Sequence, residues 1–386
     1  MVLEPHIAND ELVYAVRAWH GDASLAVRVR RRRRLRPTAG LTGSYFERVH
    51  LEIDGQRFNV LLKQGGLPFG PQTRESVFFA HLSPHVQVRA PRCFGVGRPV
   101  AGEDAWVLME RLPRGKRLVD WSEEETRQAL RNLAALHAQY VDDPPQSVPQ
   151  PFTRDLDETL SFVEGGAHAL RERYLQFPHF PRIISDRALD LAVELSRRTE
   201  IFRDAFTRSP QTLLHGDYHR GNLLARDGEP QCMFDWQFVC VGPPAYDLAV
   251  FWLWLGAVNK RGFLGFIDRV EVRERCLSWE ETFDVYADAL RGLRPDVDVD
   301  AIASCSEEAL AWEPLRQVTY FGPGMQTFEG LVRFAYRDHR RIGGWFMKWL
   351  GVDAGFDMYR SVFADFEQRA ERLLAAAPSR DRTLAT

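Results

Sequence analysis

The chain of 386 residues is long enough to bury a sizeable core and to form two or three structural units. Its hydrophobic fraction of 45% and charged fraction of 27% are those of a globular protein. The net charge of −3 argues against a dedicated nucleic-acid binder, because such proteins carry a strongly basic balance. Five scattered cysteines without a Cys-x-x-Cys pair fit a reducing compartment better than a disulfide framework.

The sequence offers no segment that reads as a membrane anchor. The N-terminus contains acidic residues and lacks the apolar centre of a signal peptide. No run approaches the roughly 18 uncharged apolar residues of a membrane helix. The most apolar stretch, residues 246–258, predicts a buried core helix. We therefore expect a cytoplasmic protein with no membrane partner.

Residues 1–112 predict a small, strand-rich α+β lobe. A helix is expected over residues 9–20, with Asn9 or Asp10 as its N-cap. Two alternating apolar runs flank Asp54-Gly55, a residue pair that favours a tight β-hairpin turn. A helix with apolar positions at Val77, Phe78 and Leu82 and a short strand over residues 105–113 complete the predicted lobe.

An arginine run occupies the predicted N-terminal lobe. Seven arginines lie between Val27 and Pro37, over residues 28–36. Such a run can form a patch for phosphate or for an acidic partner. The alternative, which we favour, is an edge strand or loop whose alternating arginines face water.

Residues 113–376 predict a larger helical lobe, followed by a tail over residues 377–386. Ser122 with Glu125 forms a candidate capping box for a helix that runs to about residue 140. The proline-rich residues 142–151 predict a loop. Further helices are predicted over residues 184–207, 245–258, 280–293, 301–312 and 356–376.

Residues 213–237 hold a His-Gly-Asp turn, an Asn and a second Asp. Asn222 lies five residues after Asp217, and Asp235 follows a predicted hairpin at Asp227-Gly228. Phosphoryl transfer from ATP needs a base near the acceptor hydroxyl and Mg²⁺ held by oxygen ligands. The Asp-x-x-x-x-Asn spacing is that of a kinase catalytic loop. Asp217 is therefore the candidate base and Asn222 and Asp235 the candidate metal ligands, unless these residues only form turns.

The segment HGDYHRGN resembles the catalytic loop of the aminoglycoside phosphotransferase and choline kinase-like superfamily, whose pattern is H-G-D-x-H-x-x-N. The following FDWQ and VGPPAYDLA segments are similar to those of the choline kinase-like and ecdysteroid kinase-like branches. The resemblance implies an α+β, bilobal protein-kinase-like fold. It also implies that Asp247 braces the catalytic loop and that His215 supports the loop backbone. His219 is expected to do the same or to face the acceptor.

The same resemblance implies a nucleotide site in the N-terminal lobe. Lys63 ends an apolar strand and would neutralise phosphates, with Glu75 on the next helix as its carboxylate partner. Lys63 is one of four lysines against 46 arginines (50 − 4), which makes a lysine here a rare choice. Further candidate nucleotide-binding residues are Gly40, Thr42, Gly43 and Ser44 in a phosphate-covering loop and Met109, Glu110 and Leu112 in the connector between the lobes.

The acceptor pocket is expected in the helical lobe. Its candidate residues are Asp284, Trp312, Tyr320 and Glu329, with Asp288 and Glu313 as further carboxylates for a cationic acceptor. Aromatic residues at helical spacing are more often part of the core, so this assignment stays open. The acceptors implied by the resemblance are small hydroxylated molecules: aminoglycosides, choline-like compounds, sugars or hydrophobic alcohols.

The leading interpretation is an ATP- and Mg²⁺-dependent small-molecule kinase that holds two Mg²⁺ ions, with GTP not excluded as the donor. A protein kinase is the first alternative, although Trp236-Gln237 replace the Phe-Gly that follows the metal-binding Asp. A non-catalytic pseudokinase that binds nucleotide or a partner is the second. A metal-dependent hydrolase would need more His and carboxylate ligands at ligand spacing.

Overall fold

The structure is a computed structural model of the chain. It describes residues 7–35, 45–64, 71–97, 105–113, 121–148, 152–176, 182–261, 268–272, 274–320, 359–360 and 362–377. The predicted phosphate-covering loop residues Gly40, Thr42, Gly43 and Ser44 lie outside these ranges, as does Glu329.

The N-terminal part contains one antiparallel sheet of five strands in the order β1-β2-β3-β5-β4. Its strands are β1 Val27–Arg34, β2 Tyr45–Ile53, β3 Gln56–Gln64, β4 Cys93–Gly97 and β5 Trp106–Glu110. Helix α1, Asn9–His20, packs its buried residues Leu12, Ala15 and Val16 on one face of this sheet. The predicted hairpin is confirmed, and Asp54 (φ 47°) and Gly55 (φ 80°) take the left-handed conformation that a tight two-residue turn requires.

The arginine run forms β1, an edge strand of the sheet within the described residues. Its first residues, Val27 and Val29, face the α1 side, and the strand then carries mainly exposed arginines. The predicted edge strand is therefore confirmed. A β-bulge between Val29 and Arg31 leaves Arg30 out of the pairing register, and Arg30 forms a bidentate hydrogen bond with Glu52 at 2.7–3.1 Å.

Helix α2, Pro71–Val77, continues into a π-helical turn over Phe78–Leu82, so the predicted helix around Val77 is confirmed. The helical part then begins at Ser122, whose side chain and that of Glu125 form the predicted capping box. Its elements are α3 Glu123–Tyr140, α4 Phe152–Gln176, α5 Asp186–Ser196, α6 Thr199–Arg208, β6 Thr212–Leu214, β7 Leu223–Arg226, β8 Glu229–Met233, β9 Cys240–Gly242, α7 Pro244–Leu253, β10 Ala257–Arg261, β11 Asp268–Val272, α8 Trp279–Leu293, α9 Val299–Ala303, α10 Ser306–Tyr320 and α11 Phe366–Ala376.

Several predicted helices differ from the observed ones. The helix predicted over 184–207 is two helices, because Arg198 leaves the helical conformation (φ −113°, ψ 54°) between α5 and α6. The helix predicted over 301–312 also breaks, at Ser304 and Cys305, and the one predicted over 245–258 ends at Leu253. Of residues 356–376, the part from Phe366 onward forms α11.

Helix α4 was not predicted. Its buried residues recur at helical spacing, at Leu156, Leu160, Val163 and Ala167, but Gly165-Gly166 in its middle argues for a break. A Cβ on Gly166 would lie 2.3 Å from the Val318 carbonyl oxygen of α10. The glycine therefore permits a close approach of two helices rather than a turn.

Candidate active site

The His-Gly-Asp turn leaves β6 at a point where only glycine fits. Gly216 has φ 78°, and a Cβ there would lie 2.0 Å from the Phe238 carbonyl oxygen. The fully buried Asp247, in the first turn of α7, accepts hydrogen bonds from the backbone N–H groups of His215 (2.7 Å) and Gly216 (2.9 Å). These two hydrogen bonds join the turn to the start of α7, and the bracing role that the resemblance implies for Asp247 stays a prediction.

His215 connects this turn to the segment that carries Asp235. Its Nε2 lies 3.0 Å from the Phe234 carbonyl oxygen, directly before Asp235. Burial lowers the pKa of His215 and outweighs the opposing effect of the Asp247 charge, so the ring is neutral and donates from Nε2. The observed contact is to backbone, as predicted for this residue.

Asp217 is held from three sides. Asn222 Nδ2 donates to Asp217 Oδ2 at 2.9 Å, His219 Nε2 lies 3.4 Å from the same oxygen, and Arg316 donates to Oδ1 at 3.2 Å. Burial opposes ionisation of Asp217, but His219 and Arg316 outweigh it and hold the pKa well below its usual range. The carboxylate is therefore charged and fixed in direction.

The His219 ring contacts both Asp217 and the loop backbone. Its Nδ1 accepts a hydrogen bond from the Gly221 N–H at 2.9 Å, which places the ring proton of the neutral form on Nε2, towards Asp217. Burial opposes protonation of His219, but the Asp217 carboxylate outweighs it and raises the pKa of the ring. His219 thus caps the short 3₁₀ turn Arg220–Asn222 and contacts the candidate base as well.

Asp235 follows β8 in the left-handed conformation, with φ 66°. This conformation is uncommon for a residue other than glycine and is concentrated at functional sites. Its carboxylate lies 2.5 Å from Lys63 Nζ, which lies 2.7 Å from Glu75 on the other side. Lys63 and Glu75 are thus in contact, as predicted. Asp235 also contacts Lys63, although these two residues are 172 positions apart in the chain.

Lys63 lies between two carboxyl groups. Burial opposes the charge on Lys63, but Glu75 and Asp235 outweigh it and raise the pKa of the ammonium. Burial raises the pKa of the Glu75 carboxyl, against the opposing effect of the Lys63 charge. The Glu75 side chain is 3% exposed and that of Asp235 is 31% exposed, so Asp235 is the carboxylate that a further cation can reach.

Trp236 packs the segment that follows β8 against the π-helical turn that follows α2. Its ring stacks on Phe78 with centroids 3.8 Å apart, and it lies 4.6 Å from the His215 ring. Trp236 is fully buried, and its Nε1 donates to the Met233 carbonyl oxygen at 3.1 Å. The tryptophan that replaces the Phe of protein kinases therefore joins α2 to the catalytic loop.

The donor set fits Mg²⁺. Asn222 Nδ2 is used by the Asp217 carboxylate and carbonyl, so Oδ1 is the end of this amide that can face a metal. Together with Asp235 it offers one amide oxygen and one carboxylate, the few hard ligands that Mg²⁺ takes beside phosphate and water. No group of three or more His, Cys, Asp or Glu residues in the described part of the chain could form a closed metal site.

The connector residues lie at the end of β5. Met109 is buried in the core, and the Glu110 N–H donates to the Arg92 carbonyl oxygen at 2.7 Å. Leu112 follows in an irregular segment and is half-buried. Because the Glu110 N–H already donates to Arg92, the base of a nucleotide bound here would have to form hydrogen bonds with other backbone groups of residues 110–112.

The candidate acceptor residues whose side chains the structure describes lie in different surroundings. Trp312 is 1% exposed and packs edge-on against Phe202, which is a core position. Asp284 lies on the exposed side of α8, and Tyr320 ends α10. Glu313, a further candidate for a cationic acceptor, is fully buried and accepts hydrogen bonds from Trp254, Arg316 and Gln317.

The sequence interpretation missed Arg316. This residue of α10 donates from Nε to Glu313 at 2.7 Å and reaches Asp217 with the same guanidinium. The only sequence signal is the i, i+3 pair Glu313 and Arg316, which is common on helix surfaces. The contact with Asp217 spans 99 residues and needs the tertiary fold to be seen.

The comparisons with known proteins identify the family. The phosphotransferase enzyme family model matches residues 10–279, and the chain belongs to that family. It is a kinase-type enzyme family, as the catalytic loop indicates. No curated protein matches the sequence.

Solved structures of several phosphotransferases are similar to this chain. A choline kinase from Cryptosporidium parvum Iowa II is 12% identical, with 90% of each chain covered and a TM-score of 0.55. The GDP complex of wild-type aminoglycoside 2'-phosphotransferase-IIIa is 13% identical over 93% of this chain and 99% of that chain, with a TM-score of 0.45. A spectinomycin phosphotransferase in complex with ADP and spectinomycin is 11% identical over 96% and 99% of the two chains, with a TM-score of 0.45. The match to the choline kinase, with its TM-score above 0.5, confirms the α+β, kinase-like fold.

Among the described residues, no helix has the length and apolar character needed to cross a bilayer.

Proposed function

We propose that the protein transfers the γ-phosphoryl group of MgATP to a hydroxyl group of a small molecule. The observation that carries this proposal is that two clusters of side chains both include residues of the 217–235 segment. Asp217, Asn222 and His219 form one cluster, and Lys63 and Asp235 belong to the other. A base on this segment and a phosphate-binding cation that contacts the segment are parts that phosphoryl transfer needs.

Asp217 is the residue that receives the acceptor. Its Oδ2 is engaged by Asn222 and His219, while Oδ1 has one donor, Arg316. A carboxylate oxygen accepts about two hydrogen bonds, so the acceptor hydroxyl would bind at Oδ1. There Asp217 orients the hydroxyl and takes its proton as the bond to phosphorus forms and the bond to the leaving ADP oxygen breaks.

Lys63 and Asp235 hold the nucleotide. Without ligand, the Lys63 ammonium is paired with both carboxylates. With nucleotide bound, Lys63 would keep Glu75 and turn its remaining donors to the α- and β-phosphates, while Asp235 and Asn222 would hold Mg²⁺. When bound, Mg²⁺ would neutralise the phosphate charge. We propose Mg²⁺ sites at these two residues and ATP as the donor.

The experiment is a transfer assay with γ-labelled ATP and a panel of hydroxylated small molecules grouped as aminoglycosides, choline-like compounds, sugars and hydrophobic alcohols. We expect at least one acceptor to become labelled in the wild type and not in Asp217→Asn. Asp204→Asn, the same substitution at an exposed carboxylate of α6, serves as the control and should leave transfer unchanged.

Two outcomes would contradict the proposal. Labelling of protein substrates with no small molecule labelled would favour a protein kinase. Tight nucleotide binding without transfer to any acceptor or to water would favour a non-catalytic nucleotide-binding module.

A further inference from the structure

The proposed reaction assigns no role to the arginine run, but the sheet assembles it into a larger basic surface, on the face of β3 that also carries Lys63. Paired residues of antiparallel strands point to the same face. The strand pairing therefore forms three rows across β1, β2 and β3: Arg28↔Glu52↔Arg57, Arg31↔His50↔Asn59 and Arg33↔Arg48↔Leu61. We call the surface made by Arg28, Arg31, Arg33, Arg48 and Arg57 the basic face.

The basic face is the side of these strands that α1 does not cover. The opposite face carries Val27, Val49, Leu51 and Ile53, which are buried against α1. On the basic face, Arg28, Arg31, Arg33 and Arg57 are exposed and Arg48 is half-buried. The arginines thus lie together on an open sheet surface.

The charge of this face is almost unopposed. Glu52 is the only carboxylate in the three rows, and the bulged Arg30 engages it through both oxygens. The Arg30 hydrogen bond lowers the pKa of Glu52, and the charges of Arg28 and Arg57 lower it further, which shows that these groups share one electrostatic environment. The five arginines of the basic face form no ion pair with any described residue, in a chain whose net charge is −3.

The outer edge of β1 adds a second feature. One edge of β1 pairs with β2, and no strand in the described residues pairs with the other edge. An exposed edge of eight residues presents backbone N–H and C=O groups that can bind an extended segment. Alternate residues of a strand lie about 7 Å apart, so a strand added at this edge would repeat with the spacing of the three arginine rows.

We propose that the basic face and the outer edge of β1 form a docking site for an acidic polypeptide segment. The segment binds as an added strand, with carboxylates at alternate positions facing Arg28, Arg31 and Arg33. A polypeptide fits better than a nucleic acid because the open edge offers backbone pairing and the chain as a whole is acidic.

The test is a binding titration by fluorescence anisotropy with the full-length protein and a labelled heptapeptide, Glu-Thr-Glu-Thr-Glu-Thr-Glu. A peptide of the same composition, Glu-Glu-Glu-Glu-Thr-Thr-Thr, is the control for charge alone. A version of the alternating peptide with N-methylated threonines keeps the charge and removes backbone donors. We expect the alternating peptide to bind about tenfold more tightly than either control.

Two triple variants of the protein test whether peptide binding depends on the basic face or only on the overall charge. Arg28→Gln/Arg31→Gln/Arg33→Gln removes three of the arginines, and three surface ion pairs of ordinary strength amount to about a tenfold loss of affinity. The control is Arg171→Gln/Arg197→Gln/Arg203→Gln, which makes the same charge change on exposed helices of the other lobe. The control should bind the peptide as the wild type does.

Several results would overturn the proposal. One is equal affinity for the three peptides, and another is the same loss in both triple variants. Absence of saturable binding would mean that the arginines only keep the edge of β1 from associating with other chains. Tighter binding of an RNA or DNA oligonucleotide of equal charge than of the alternating peptide would assign the face to nucleic acid instead.

Discussion

Replacement of Asp247 by Asn tests how the His-Gly-Asp turn is held. Asp247 is fully buried, and its two oxygens accept the N–H groups of His215 and Gly216 at 2.7 and 2.9 Å. His137 Nε2 lies 3.4 Å from the first of these oxygens. The substitution keeps the shape of the side chain but replaces one acceptor oxygen by a donor.

The expected cost follows from these contacts. A hydrogen bond to a charged group contributes about 1.5–3 kcal/mol, and a buried donor left without a partner costs about 1–3 kcal/mol. Asp247→Asn loses one such bond and weakens the other, so we expect the unfolding free energy to fall by about 3 kcal/mol. In a lobe of this size, that corresponds to a Tm lower by roughly 6–12 °C.

Thermal melting measures the loss, with Asp284→Asn as a matched control because Asp284 is exposed on α8 in the same lobe. The control should melt within about 1–2 °C of the wild type. Amide hydrogen exchange adds a local reading, since the N–H groups of His215 and Gly216 should exchange faster in Asp247→Asn. A Tm for Asp247→Asn equal to that of Asp284→Asn, with unchanged exchange at both amides, would refute the bracing role.

Four further predictions concern stability and thiol chemistry. Gly216→Ala should abolish phosphoryl transfer and lower Tm, because its Cβ would lie 2.0 Å from a carbonyl oxygen; a variant of wild-type Tm and activity would contradict this. Ser122→Ala should lower the unfolding free energy by about 1 kcal/mol in urea denaturation through loss of the capping box, and no change would contradict it. Burial raises the pKa of Cys93 and of Cys232 to about 12, so both thiols stay neutral in the folded protein at pH 10. Thiols of the unfolded chain ionise near pH 8.5. The free energy of unfolding therefore falls by about 2 kcal/mol per buried thiol between pH 8 and 10. The double variant Cys93→Ala/Cys232→Ala should flatten the pH dependence of Tm. In the native protein only the exposed Cys276 should react quickly with a thiol reagent, and rapid reaction of a second cysteine would contradict the assigned burial.

The sequence predicted the residues that lie in one contiguous segment. Asp217, Asn222 and Asp235 fall within 19 positions (235 − 217 + 1), and the turns between them are fixed by local chemistry at Gly216 and Gly228. The contact of Asn222 with Asp217 therefore follows the five-residue spacing, and the family resemblance, rather than spacing alone, connected Asp235 to them. Their roles in transfer stay predictions until activity is measured.

Features that depend on tertiary packing could not be predicted. Arg316 touches Asp217 only because α10 packs beside α7, and its local pattern is that of an ordinary surface ion pair. The glycine pair in α4 favoured a break by local propensity, whereas the close approach of Val318 makes Gly166 suitable inside a helix. The basic face likewise needed the strand register, because the sequence gives the arginines of β1 but not their alignment with Arg48 and Arg57.

The most direct test of the nucleotide site is a thermal-shift titration with ATP and GTP, each with and without Mg²⁺, on the wild type, Asp235→Asn and Asp204→Asn. Asp204 is an exposed carboxylate of α6 and serves as the control. Ligand binding at a hundredfold excess over Kd stabilises the folded state by about 2.7 kcal/mol. We predict a Mg²⁺-dependent rise in Tm for the wild type and Asp204→Asn that is lost in Asp235→Asn. No rise with either nucleotide in the well-folded wild type, or the same rise in all three proteins, would contradict a metal–nucleotide site at Asp235.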